Sequence, residues 1–301
     1  MATKAKSTSK ARSAKTTRPA SGAAARTSKK STVAKARATV AQPVTKQKTY
    51  RFSDELSGTQ VLGEMIGTFL LVALVAATGG NAFLIGIGLI VIVAMFFSIS
   101  GAHVNPAITF GLFAMRKISA AKMVFYWMAQ FVGALAAIVV TYAFAQTKFE
   151  ISLSSFTQWH WAIFAAEVIG AAIFMFGVAA AAQRAQTDTD KAVGMGLSLF
   201  VALLISSALL QQAASAVNAQ QTESTTTQDR ILRVNGTTVN PAVALSLSET
   251  DTSNVNPLTG ESTGESSTAS RLTFEVILGA LLGAALGGRL YMLLNRNAPR
   301  V

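Results

Sequence analysis

SGAHVNPAITF, residues 100–110, and TVNPAVAL, residues 238–245, each place the words Asn-Pro-Ala at the head of a short apolar run. Asn before Pro reads as a helix start, with Asn105 and Asn240 as N-caps. Pro106 and Pro241 then take the first helical position, where the absent N–H has no partner to lose and φ is already set. The apolar runs, about 105–114 and 240–247, are far too short to cross a bilayer, which takes about 20 residues. Each predicts a half-length helix that enters the membrane and stops.

Six longer segments are apolar enough to span: about 61–78, 82–99, 123–146, 159–182, 192–210 and 272–294. Two polar inserts, about 211–234 and 249–270, flank the second short helix. With the N-terminus inside, the inner connections carry Arg116, Lys117, Lys122, Arg184 and Lys191, and the C-terminal end adds Arg296 and Arg300. The outer side carries Lys148, Arg230, Arg233 and Arg271 among many acidic residues. Charge asymmetry therefore puts both termini in the cytoplasm. Trp159 and Trp161, at the start of the fourth span, suit the outer interface.

Composition agrees with a membrane protein. The chain has 301 residues, 51% of them hydrophobic, 13% charged, with mean hydropathy +0.42; soluble domains carry about 25% charged residues. Of the 26 Lys and Arg, 14 fall in residues 1–51, which hold no acid, so the +12 formal charge belongs almost wholly to that tail. Residues 1–51 are low-complexity Lys/Ala/Ser/Thr and are expected to be disordered and cytoplasmic. They lack the apolar run of a signal peptide, although an acid-poor Ser- and Arg-rich start also resembles an organellar transit peptide. The chain has no Cys and two His, His103 and His160, so no thiolate or His-cluster metal site and no cofactor is expected. Residues 52–301 form the membrane domain.

An internal repeat divides it, about 61–146 and 159–294. Glu64-Met-Ile-Gly67 is echoed by Glu167-Val-Ile-Gly170, and Gly133-Ala-Leu by Gly279-Ala-Leu. Three spans per half is odd, so the copies run in opposite directions, an arrangement that puts the functional site at their interface near the midplane. The recurring glycines Gly63, Gly67, Gly133, Gly170, Gly279, Gly283 and Gly287 are expected mainly to let helices approach. Asn256-Pro257-Leu258 is followed by polar residues and reads as a turn.

With two Asn-Pro-Ala words in inverted halves and a matching buried Glu in each, residues 61–294 resemble the aquaporin, or major intrinsic protein, family. Tyr126-Trp-Met-Ala-Gln130-Phe-Val-Gly133 is similar to its third helix. The resemblance implies an all-α membrane bundle of six transmembrane helices plus two re-entrant half-helices, assembled as a homotetramer in the lipid bilayer. It also implies passive passage of water or small neutral solutes, without catalysis. Asn105, Pro106, Ala107, Asn240, Pro241 and Ala242 would form the pore centre. The backbone of Gly101, Ala102, His103 and Val104, and of Gly236, Thr237, Thr238 and Val239, would line it with carbonyls. Glu64 and Glu167 would support those loops, since an ionisable group inside a span costs on the order of 2.5–3.5 kcal/mol and needs partners.

Physical chemistry gives such a pore its logic. Two half-helices meeting at their N-termini each present about +0.5 of an elementary charge, which opposes cations. Non-helical backbone at that depth is tolerated where it lines a wet cavity. The chain departs from the family pattern at Val243, where relatives carry an Arg that lines the outer filter. By alignment the filter is Ile85, Leu203, Thr237 and Val243, a mostly apolar ring with no fixed positive charge. Ala244 replaces the Ser or Asp that separates water from glycerol pores. The long outer inserts offer two substitutes: a cap, or Arg230 or Arg233 folding back over the mouth. Two rivals stand beside the channel: a secondary transporter using Glu64 and Glu167, and a membrane-tethered protein whose basic tail binds anionic lipid or nucleic acid.

Overall fold

A computed structural model of the chain describes residues 56–146, 151–220, 229–249 and 269–296. The helices in chain order are α1 (Gly58–Ala77), α2 (Ala82–Ser100), α3 (Pro106–Ala114), α4 (Ala120–Ala145), α5 (Trp161–Arg184), α6 (Asp188–Gln220), α7 (Pro241–Ser246) and α8 (Phe274–Leu294). A 3-10 turn at Arg230–Arg233 precedes α7. Among the described residues β structure is limited to two isolated bridges, Ser152 with Ala269 and Ser248 with Ser270. The expected tail, residues 1–51, the turn at Asn256-Pro257-Leu258 and most of the second polar insert lie outside the described residues.

Among the described residues six helices, α1, α2, α4, α5, α6 and α8, are long and apolar enough to cross a membrane. The chain is a multi-pass membrane protein. The half-helices α3 and α7 have nine and six residues. One boundary differs from expectation. The fifth span was expected to end near residue 210, with a polar insert beyond it, yet α6 runs 33 residues to Gln220. That is about 50 Å of helix against about 30 Å of hydrocarbon. Residues 211–220, QQAASAVNAQ, are polar but mostly good helix formers, and extending an existing helix costs little. Polarity ended the span, not the helix.

α1 packs on α4, α5 on α8, and α2 on α6 across the two halves. Glycine allows the first two approaches. A Cβ on Gly133 would run into the carbonyl oxygen of Met65, and one on Gly283 into that of Val168. Met65 and Val168 each follow the buried Glu of their repeat, so the structural partner of Gly133 is Gly283, one helical turn beyond the Gly279 that sequence similarity picks out.

The two ends differ in charge. At one end Lys191 lies 4.7 Å over the Phe97 ring and pairs with Asp188, and Arg184 donates to Asn295 Oδ1 at 2.9 Å. At the other end Trp159 and Trp161 meet edge to face, 5.1 Å apart, with Trp161 71% exposed. Beneath them is a buried ion cluster. Arg230 donates through Nε to Glu249 Oε1 at 2.5 Å and through Nη1 to Glu275 Oε1. Glu249 Oε2 also accepts from Ser155 Oγ at 3.2 Å and lies 3.7 Å from Arg233 Nη2. The cluster ties the 3-10 turn, the strand-like segment after α7 and the start of α8 into one outer layer.

Two outcomes follow from this packing. Gly283→Val should lower thermal stability of the detergent-solubilised protein by about 1–3 kcal/mol or prevent recovery of a monodisperse species, whereas Gly58→Ala, whose Cβ meets nothing within 4 Å, should not. Arg230→Met should cost about 3–5 kcal/mol, because it strands two buried carboxylates, and adding Glu249→Gln and Glu275→Gln should recover part of the loss. Thermal unfolding followed by fluorescence reads both.

Candidate functional site

Each half-helix is started by its own asparagine. Asn105 Oδ1 accepts from the N–H of Ala107 at 2.8 Å, and Asn240 Oδ1 from that of Ala242 at 3.0 Å. This fixes the amide orientation and leaves each Nδ2 pointing away from its own helix. Asn105 Nδ2 donates to the carbonyl of Val239, and Asn240 Nδ2 to the carbonyl of Val104, both at 3.0 Å. The two signature loops are therefore laced to one another across the repeat boundary. An amide has two hydrogens, so each asparagine keeps one more donor after the lacing bond.

The loops reach this geometry through strain. Gly101 and Gly236 have φ of +89° and +76°, and Val104 and Val239 have φ of +41° and +56°. Glycine tolerates that region, whereas for a β-branched residue it is an outlier costing on the order of 1–3 kcal/mol. Two buried glutamates hold the strained turns. Glu64 accepts the N–H of His103 on Oε1 at 2.9 Å and that of Val104 on Oε2 at 2.7 Å. Glu167 accepts the N–H groups of Thr238 and Val239 in the same way, both at 2.7 Å. One turn along each helix a glycine makes room for the strained valine. A Cβ on Gly67 would sit 2.6 Å from Val104 Cγ1, and one on Gly170 would sit 2.7 Å from Val239 Cγ2. These two glycines, expected to serve helix–helix contact, face the loops as well: a Cβ on Gly170 would also sit 2.7 Å from Ser206 Oγ of α6.

The halves diverge in how each carboxylate is completed. Glu64 takes two further donors, Ser100 Oγ at 2.7 Å and Gln130 Nε2 at 2.8 Å. Gln130 Nε2 also reaches Thr109 Oγ1 at 2.9 Å, and Tyr126 donates to the Ser100 carbonyl at 2.7 Å. Glu167 takes one further donor, Thr238 Oγ1 at 3.1 Å. Its counterpart of Gln130, in the Gly133–Gly283 register, is Ala280.

A cavity of about 480 Å³ runs from the outer end to the laced loops. Asn105 and Asn240 line its floor, and Ile85, Leu203, Thr237 and Val243 all line its walls, with His103, Val104, Gly236 and Thr238. Ser206 and Ser207 hydroxyls bond to Thr237 and fix its rotamer. Inward of His103 the space shrinks to a void of about 10 Å³, lined by Gly101, Ala102, Val93, Ile108, Leu112 and Met195 among others. Leu89, His103 and Phe174 border both spaces. His103 is held edge-on to Tyr126 with ring centres 4.9 Å apart, and its Nδ1 lies 3.2 Å from Thr109 Oγ1. Of the eight loop residues expected to line one passage, Gly101 and Ala102 fall on the inner void, and Val239, fully buried, lines neither space. Pro106, Ala107, Pro241 and Ala242 are buried behind the asparagines as the first turns of their helices.

One expectation is corrected here. Arg230 and Arg233 do not line the cavity, because the carboxylates of Glu249 and Glu275 claim the first and Glu249 approaches the second. The expected ring of Ile85, Leu203, Thr237 and Val243 carries no cation, but the wider cavity wall does. Arg271, counted from sequence only as a diluted outer-loop charge, lines it, and it is the sole formally charged side chain among the described residues that do. No spacing or motif marks Arg271, since its position depends on a loop folding back from 25 residues or more beyond the second Asn-Pro-Ala.

Comparison with known proteins adds an independent line. The family described as Major intrinsic protein matches residues 78–221. Aquaporin NIP2-3 of Zea mays is 34% identical over 165 residues, covering 50% of this chain and 53% of that protein. The probable aquaporin TIP2-2 of Oryza sativa subsp. japonica is 51% identical over 55 residues, 18% of this chain and 22% of that protein. The chain thus spans about half, or less, of the length of these curated relatives. Among solved structures, the aquaglyceroporin from Plasmodium falciparum aligns with a TM-score of 0.47 at 16% identity, covering 80% of this chain and 96% of that one. The family match over residues 78–221, the partial relatives and the two Asn-Pro-Ala words agree in what they liken the chain to: the major intrinsic protein family.

Proposed function

We propose that the chain is a passive transmembrane channel for water or small uncharged solutes, its pore centred on the two Asn-Pro-Ala loops. The observation that carries this reading is that Asn105 and Asn240, from opposite halves, floor one cavity that opens at the outer end. Each brings a half-helix N-terminus worth about +0.5 of an elementary charge and one amide hydrogen left over from lacing the loops. A permeant oxygen at that point accepts from both sides, which turns a water's own hydrogens away from the centre and breaks a proton wire. The outer constriction is Ile85, Leu203, Thr237 and Val243. Loop carbonyls on either side of the centre are acceptors for the file.

The glutamates favour a channel over a coupled transporter. Glu64 and Glu167 are fully buried, each saturated by three or four donors, and neither lines the cavity. A proton relay needs a group the permeant can reach. Apolar outer faces such as Met95, Val132, Leu282 and Leu286, each more than 40% exposed, suit lipid or neighbouring copies in a homotetramer. Both termini lie on the cytoplasmic face of the cell membrane in this reading, because Arg116, Lys117, Lys122, Arg184 and Lys191 gather at the end opposite the tryptophans. The basic segment 1–51 is then a cytoplasmic appendage to a channel domain of residues 52–301.

Reconstituted into liposomes, the protein should speed osmotic shrinkage well above protein-free vesicles in stopped-flow light scattering, with water, glycerol and urea compared; rates equal to empty vesicles would refute the reading. Glu167→Gln should present a donor to loop N–H groups that are themselves donors, at a cost of about 1–3 kcal/mol. With Val239 free to relax, flux should fall at least about tenfold. Unchanged flux and unchanged melting would show that the carboxylate does not hold the loop.

A further inference from the structure

The pore wall at Val243 lacks a cation, yet a cation is present a short way off on another element. Ser270 Oγ donates to the carbonyls of Ala244 and Leu245 at 3.3 Å, which pins the chain ahead of α8 against the end of α7. The next residue, Arg271, donates its backbone N–H to Leu247 O at 2.9 Å and Nη1 to Asn235 O at 3.2 Å. Its guanidinium is thus held between the helix that carries Val243 and the loop that carries Thr237, two of the residues expected to form the constriction. It is 2% exposed, it lines the 480 Å³ cavity, and Nε and Nη2 have no acceptor among the described residues. Both nitrogens are closed off from the cavity space, so the guanidinium acts on the cavity through its charge.

The surroundings explain how a buried guanidinium is tolerated. Burial lowers its proton affinity; the carboxylates of Glu167, Glu249 and Glu275 work against this, and the nearby Arg230 guanidinium adds to it. Arginine stays charged regardless. Glu167 therefore has two tasks, accepting the loop N–H groups and balancing Arg271, and this fits its having no amide donor where Glu64 has Gln130. The Arg230–Glu249–Glu275 cluster fixes the same layer from behind through Glu249, whose N–H donates to Ala269 O at 2.7 Å.

We infer that Arg271 is the specificity-determining cation of this pore, placed at the outer constriction from the segment before α8 in place of a side chain at position 243. Its fixed positive charge repels cations. The inference rests on the channel reading above and assigns a residue within it.

Proteoliposomes carrying wild type, Arg271→Leu, and Arg271→Leu with Val243→Arg separate the possibilities, with water flux and methylammonium flux measured in parallel. Arg271→Leu should raise the ratio of methylammonium to water flux at least about tenfold, and Val243→Arg on that background should return most of the difference, because the guanidinium regains the constriction from the other side. A ratio unchanged in Arg271→Leu overturns the inference, as does an increase that Val243→Arg does not reverse, since a merely structural arginine cannot be replaced from position 243. Wild type that conducts neither water nor neutral solutes overturns the channel reading as well. If leucine at 271 prevents folding, Val243→Arg in the otherwise intact chain decides: a second guanidinium beside Arg271 should cut water flux at least about fivefold, and undiminished flux overturns the inference.

Discussion

Two carboxylates, each gripping two successive N–H groups of a loop that would otherwise relax, are the constraint on which the rest of this structure depends. Glu64 and Glu167 hold Val104 and Val239 in a left-handed conformation that valine avoids. In that conformation each valine carbonyl swings across the midplane to meet the opposite asparagine. Without the carboxylates the strain would be released, the carbonyls would turn back, and the half-helix tips would lose their lacing. A charge buried in a membrane domain is costly, and here the cost is offset by three or four donors on each side chain. Gly67 and Gly170 complete the device by leaving space for the valines, which makes Glu-x-x-Gly a single unit: a grip and a clearance one helical turn apart.

The halves share this device but not its surroundings. In the first half the extra donors come from neutral groups, Ser100 and Gln130. In the second half an alanine stands in the glutamine's place and a charged residue, Arg271, supplies the balancing field. The outer layer beside Arg271 joins the described ends of the polar inserts to the start of α8, through the buried Arg230, Glu249 and Glu275. The inserts thus have structural work that their polar composition does not suggest.

Much of the architecture was legible in the sequence because the bilayer allows few solutions. Span lengths follow from hydrocarbon thickness, and the short runs after Asn105 and Asn240 can only be half-helices. The glutamates were legible because an acid inside a span must have partners. What escaped was tertiary. The end of α6 was misjudged because residues 211–220 are polar yet good helix formers, so hydropathy and helix propensity disagree there. The register of the repeat at Gly133 was misjudged by one turn because Gly-Ala-Leu is short and helix faces repeat every turn. Arg230 was misjudged and Arg271 missed for one reason: which of several outer arginines faces the cavity is set by which carboxylates reach the others first. Glu249 and Glu275 took Arg230, leaving Arg271 at the wall.

The central claim is geometric, and an experimentally determined density map of the protein in lipid tests it most directly. The account predicts continuous density joining Asn105 to the Val239 carbonyl and Asn240 to the Val104 carbonyl, with both valines left-handed and each glutamate in contact with its loop. Asparagine side chains apart from the opposite loop, or valines in an ordinary extended conformation with the glutamates turned elsewhere, would contradict it.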